Sequence, residues 1–127
     1  MRNSSLMFII LFTTFSFITT RSMAQITNVE LKNSSIVISR AQLHTVTVAV
    51  CGSCKVAGYN GAYVVVYSGP KALIYNHGGQ VRGKLQLRNK GKIIEVGKKE
   101  ILVEDALGYY LYYDFTGAFL RRARKNL

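Results

Sequence analysis

Turn-forming residues interrupt this chain so often that helices have almost no room. From residue 26 onward, turn signals stand at 33–34 (Asn-Ser), 60–61 (Asn-Gly), 68–70 (Ser-Gly-Pro), 76–79 (Asn-His-Gly-Gly), 89–91 (Asn-Lys-Gly), 97–98, 105–108 and 114–117, roughly every eight to twelve residues. Asn and Gly accept the positive φ that tight hairpins demand, and Pro70 presets a turn. Between the turns lie short runs of Val, Ile, Tyr and Thr, residues that suit a pleated, half-buried surface. The spacing predicts strands over 26–32, 35–40, 43–50, 55–58, 62–68, 71–75, 80–88, 92–96, 100–104, 109–113 and 118–122. Their connections are too short for the crossovers that parallel strands require. The expected fold is all-β, a small antiparallel meander forming a sandwich or barrel. Only 39–43 and the C-terminus leave room for a helical turn.

Two segments declare their faces. Val46, Val48 and Val50 alternate with Thr47 and Ala49, so one face is buried. Along 81–88 the odd positions are apolar or Gly. The even positions, Arg82, Lys84, Gln86 and Arg88, form a polar and mostly cationic row on one sheet face.

The first residues belong to a different category. Arg2 precedes an apolar run over 6–18, and Ser22-Met23-Ala24 places small residues at the −3 and −1 positions of a cleavage site after Ala24. A secretory signal peptide has this anatomy, and the run is shorter than a membrane-spanning helix needs. Residues 1–24 are therefore expected to be a cleaved leader. Residues 25–127 are expected to be one domain with a basic tail at 120–127, secreted or periplasmic, with no transmembrane span after cleavage. Cleavage removes two of the seventeen cations and none of the six acids, so the formal net charge falls by two from +11 and stays strongly positive.

Export places Cys51 and Cys54, the chain's two cysteines, in an oxidising compartment. Three readings compete for Cys51-Gly52-Ser53-Cys54. A redox motif needs a helix N-terminus to lower a thiol pKa, and Gly58 and Gly61 deny a helix here. A metal site would need His44 and His77 to join the cysteines, at a spacing that matches no zinc motif. The third reading is a disulfide clip: Gly52-Ser53 makes a turn that brings the two Cα atoms within disulfide reach. The clip is the expectation, and a small thiol-disulfide protein using Cys51 and Cys54 is the alternative.

Little else resembles an active site. Of the six carboxylates only Glu104 and Asp105 are adjacent, and neighbours on a strand face opposite ways. No nucleophile-elbow Gly-x-Ser-x-Gly and no phosphate-binding loop occurs. The expectation is a non-enzymatic protein without metal or cofactor.

Charge and aromatics remain. Arg121, Arg122, Arg124 and Lys125 crowd one short stretch, a spacing that resembles the linear basic clusters of glycosaminoglycan-binding proteins. Arg82, Lys84 and Arg88 would form a second row, and the two regions would merge if their strands were neighbours. Tyr109, Tyr110, Tyr112 and Tyr113 alternate faces, so half can be core and the rest can stack on bases or sugars. The expected partner is an anionic polymer or surface: glycan, lipopolysaccharide, nucleic acid or anionic membrane. The alternative is an assembly component of the cell envelope, self-associating or joining an envelope protein through β-strand edges.

One internal echo exists. Residues 73–79 (Leu-Ile-Tyr-Asn-His-Gly-Gly) resemble 111–117 (Leu-Tyr-Tyr-Asp-Phe-Thr-Gly) at an offset of 38. The second copy, continued to Arg121, also resembles the tyrosine–aspartate hairpins of secreted YD-repeat proteins and the hairpins of propeller blades. The shared content is strand, Asx-type turn, Gly, strand, and two copies do not define a propeller or solenoid.

Overall fold

The computed structural model describes residues 25–125. The expected leader over 1–24 and residues 126–127 of the basic tail lie outside the described residues. The chain forms eleven strands: β1 (Ile26–Lys32), β2 (Ser35–Arg40), β3 (Leu43–Ala49), β4 (Lys55–Tyr59), β5 (Tyr63–Ser68), β6 (Lys71–Asn76), β7 (Val81–Gln86), β8 (Lys92–Val96), β9 (Ile101–Glu104), β10 (Tyr109–Tyr113) and β11 (Phe119–Arg124). Among the described residues there is no helix, hence none long and apolar enough to cross a membrane. Residues 41–42, the place with room for a helical turn, form the β2–β3 hairpin turn instead, with Gln42 at φ 62°.

Each strand pairs antiparallel with its sequence neighbour, and the meander is cut into three sheets: β1-β2-β3, β4-β5-β6-β7 and β8-β9-β10-β11. The sheets stack in three layers with two cores. One core joins Ile36 and Ile38 of β2 to Val64, Val66 and Tyr75 of the middle sheet. The other joins Val65, Ala72, Ile74 and Leu85 of the middle sheet to Ile93, Ile101 and Val103 of the third. Val64, Val65 and Val66 are consecutive and all fully buried. Adjacent strand residues face opposite ways, so only a sheet covered on both sides can bury such a run. Each side chain so buried contributes at most about 1.5–3 kcal/mol. The first sheet is apolar on one face only. Ile36 and Ile38 point inward, while Glu30, Val37 and Thr47 stand in register on the outer face.

The middle and third sheets are copies of one four-stranded unit. Leu73 opposite Lys84 corresponds to Leu111 opposite Arg122, and Tyr75 corresponds to Tyr113, all at the offset of 38 seen in the sequence. Val56 opposite Val66 corresponds to Ile93 opposite Val103. Their β6–β7 and β10–β11 turns share one chemistry. Asn76 Oδ1 accepts from the amides of Gly78 and Gln80, and Asp114 Oδ1 accepts from those of Thr116 and Ala118, at 2.9–3.0 Å. Gly79 and Gly117 close these turns at φ 85° and 90°, a region costly for any side-chain-bearing residue. Asp105 and Gly108 repeat the device between β9 and β10.

Cys51 and Cys54 are joined by a disulfide across the turn between β3 and β4, with Cα atoms 5.1 Å apart. Cys54 is buried in the core between the first two sheets, and Cys51 is exposed. The clip therefore fixes the crossing from one sheet to the next.

Candidate functional site

The second and third sheets meet at β4 and β8, where an added Cβ on Gly58 would touch Val96. Along β7 and β10–β11 the two layers leave a groove of about 560 Å³. Its walls are β7 with the loop after it (Lys84, Arg88, Asn89) and the inner face of β10–β11 (Tyr109, Tyr113, Arg122). Leu107 and Phe119, 66% and 55% exposed, are the apolar residues most open to solvent along it.

Strand alternation sorts the basic cluster. On β11, Arg122 stands opposite Leu111 and Arg124 opposite Tyr109, so both share the groove face. Arg121 stands opposite Tyr112 and Ala123 opposite Tyr110, on the outer face of the sheet. The two outer cations are engaged. Arg121 grips Glu100 through both terminal nitrogens and lies 4.0 Å from the Tyr112 ring centroid. Its hydrogen bond holds the Glu100 carboxyl below the ordinary carboxylate range. Lys125 Nζ lies 2.8 Å from Glu104 Oε2 and 5.9 Å from the Tyr110 ring centroid.

The groove-side cations have no such partners. Arg122 stacks 4.5 Å from the Tyr109 ring centroid and Arg124 lies 6.0 Å from the same ring. Among the described residues neither makes an ion pair, nor does Arg82, Lys84 or Arg88. Tyr113 is pushed above its ordinary pKa by burial, a rise that the Arg88 charge opposes and the Asp105 charge reinforces. Asp105 is the one buried charged residue among those described, and its Oδ1 serves the turn by accepting from Leu107 and Tyr109.

The two basic regions named from sequence thus meet in part. Arg88 lines the same groove as Arg122, whereas Lys84, which borders it, stands opposite Leu73 on the face of β7 turned to the first sheet. Arg82 lies at the other end of β7, beside a second cavity of about 440 Å³ lined by His77, Phe115 and Tyr63. Tyr63 and Phe115 stack there with centroids 4.5 Å apart. Arg121 and Lys125 are on the opposite side of the third sheet. Of the four tyrosines of β10, Tyr109 and Tyr113 face the groove and Tyr110 and Tyr112 face outward. Sequence reasoning did not find Asn89, Leu107 or Phe119, because loops and strand ends carry no periodicity that assigns them a face.

The histidines stand apart from the thiols. His44 is exposed, and its carbonyl accepts from the Arg40 guanidinium. His77 Nδ1 pairs with Arg40 at 3.1 Å. No three His, Cys, Asp or Glu side chains gather among the described residues. Compared with known proteins, the chain matches no family model, no curated protein and no solved structure.

Proposed function

We propose that this is an extracytoplasmic, non-enzymatic binding protein whose ligand is an anionic polymer or surface, held in the groove between β7 and β10–β11. The observation that carries this reading is the division of labour within the basic cluster. Arg121 and Lys125 spend their charge on Glu100 and Glu104, while Arg122 and Arg124 stand unpaired over Tyr109, and Arg122 lines the groove together with Arg88. A guanidinium stacked on an aromatic ring keeps its edge free to grip phosphate, sulfate or carboxylate in two places at once. An exposed disulfide sulfur and a strongly positive formal charge are compatible with export and with anionic partners.

The test is salt-gradient elution from heparin resin. Arg122→Ser with Arg124→Ser is expected to elute early, whereas Arg121→Ser with Lys125→Ser is expected to elute near the parent and to unfold more easily. Equal elution of the parent and the Arg122/Arg124 variant would remove the groove from consideration. Retention that depends equally on all four residues would mean unspecific attraction by net charge.

A further inference from the structure

Among the described residues, the first sheet holds three of the four strands of the unit that the other two repeat. Ile38 stands between Val29 and Val46 as Ile74 stands between Val65 and Gly83, so β1, β2 and β3 correspond to β5, β6 and β7. The turns agree: the turn at 76–79 packs on Val46 and Val48 of β3, just as the turn at 114–117 packs on Gly83 and Lys84 of β7. Chain direction agrees too. The start of β1 meets the end of β4, where Ile26 N donates to Gly61 O at 2.8 Å, so β1 runs opposite to β4, as β5 does.

In the second and third units the place beside this strand is taken by β4 and β8. In the first unit no described strand takes it. The open edge is well defined. Lys32 and Ser35 close a two-residue hairpin, and such a closing pair exchanges its hydrogen bonds within the hairpin. Leu31 and Val29 therefore turn their N–H and C=O groups to the free edge, as Tyr67 and Val65 turn theirs to β4. Beneath the edge lies an apolar shelf. Val56 and Tyr59 of β4 face the first sheet, in register with Val66 and Val64. Val56 is half-buried where its counterpart Ile93 is 7% exposed, and Tyr59 and Leu31 are 39% and 40% exposed.

We infer that the free edge of β1 is a docking site for one extended segment of another polypeptide, which runs antiparallel to β1 and completes the first sheet as its fourth strand. The chemistry of the segment follows from the strand that occupies the place in the second unit. There Ala57 and Gly58 face the third sheet, and a Cβ on Gly58 would stand 2.8 Å from Val96. The docked segment therefore needs a small apolar residue at its inward central position, over Tyr59, the counterpart of Val96. A second copy of this chain does not fit. Its β1 paired to this edge would bring its own middle sheet into the layer that β4 already fills one strand beyond β1. Strand addition of this kind takes its affinity from main-chain hydrogen bonds and its selectivity from alternate side chains. It is independent of the anionic groove.

The experiment is amide hydrogen exchange on the full chain, alone and with a synthetic peptide of residues 55–60, Lys-Val-Ala-Gly-Tyr-Asn. The amides of Val29 and Leu31 are expected to exchange freely in the chain alone. They should slow about tenfold with peptide at roughly ten times its Kd. The same peptide with Ala57→Glu, or with N-methyl groups on the amides facing β1, is expected to give no protection. Amides already protected in the full chain would overturn the inference, since the edge would then be filled from within. So would absence of protection by the parent peptide, or equal protection by the N-methylated one. The reporter is the unmodified protein, so no outcome turns on a variant that fails to fold.

Discussion

Replacing Gly117 by Ala tests how the sheets are locked together. Gly117 sits at φ 90°, where a Cβ costs about 1–2 kcal/mol. Its new Cβ would also stand 2.8 Å from the Lys84 carbonyl carbon and closer still to the oxygen, so the turn or β7 must move. Overpacking against backbone adds about 1–3 kcal/mol, and the stiffer unfolded chain returns about 0.4–1 kcal/mol. The expected net loss is about 2–4 kcal/mol. Gly108 is the internal control: it has φ 97° in the same kind of turn, with nothing within 4 Å of the added Cβ. Gly108→Ala should cost only the strain, about 1 kcal/mol after the same offset. Gly79→Ala should fall between them, because its Cβ would meet the flexible methyl groups of Val46 and Val48 at 2.9 and 2.7 Å. Urea unfolding at a common slope gives the three values. If Gly108→Ala and Gly117→Ala cost the same, the turn does not bear on β7, and the argument from repeated sheet-to-turn contacts fails.

Ile74→Ala, at a fully buried site between the second and third sheets, should lose about 2–5 kcal/mol, whereas Ile94→Ala, 48% exposed on the outer face, should stay within about 0.5 kcal/mol by the same urea titration. Asp114 is held below its ordinary pKa, chiefly by the Thr116 hydroxyl and then by turn amides. Its contribution is therefore present above the unfolded value near pH 4 and is lost as pH falls through the lower folded value, so Asp114→Asn, which keeps the acceptor, should flatten the acid limb of a stability–pH curve. Removing the clip with Cys51→Ala and Cys54→Ala should cost about 2 kcal/mol on the chain-entropy account, read from thermal unfolding with and without reductant.

The strands were legible because their signals are local. Val46-Thr47-Val48 alternates, and Asn76 and Asp114 announce turns by chemistry that needs only the next four residues. Layering was not legible, since where a meander breaks into separate sheets depends on contacts between distant strands. Val64-Val65-Val66 carried the one hint, a run too uniform for a sheet with a wet side. The repeat showed through only at one turn and the strand leading into it, 73–79 and 111–117, because elsewhere core positions accept Val, Ile, Leu and Tyr interchangeably. The basic cluster was misleading for a simple reason. Proximity in sequence looks like proximity in space, yet two of the four cations, Arg121 and Lys125, lie on the far side of the sheet from Arg122 and Arg124.

The outer face of the third sheet differs in kind from the faces that the sheets bury between them. Its positions match those that the middle sheet buries, with Tyr112 in place of Ile74 and Arg121 in place of Gly83. Arg121 and Lys125 lie over the tyrosines there and pair with Glu100 and Glu104, so no further layer can settle on it without stripping those charges. Growth by duplication is thereby confined to the interior. A second copy of the 55–91 segment inserted ahead of β8 would meet matching surfaces on both sides, whereas one appended after β11 would find a closed door.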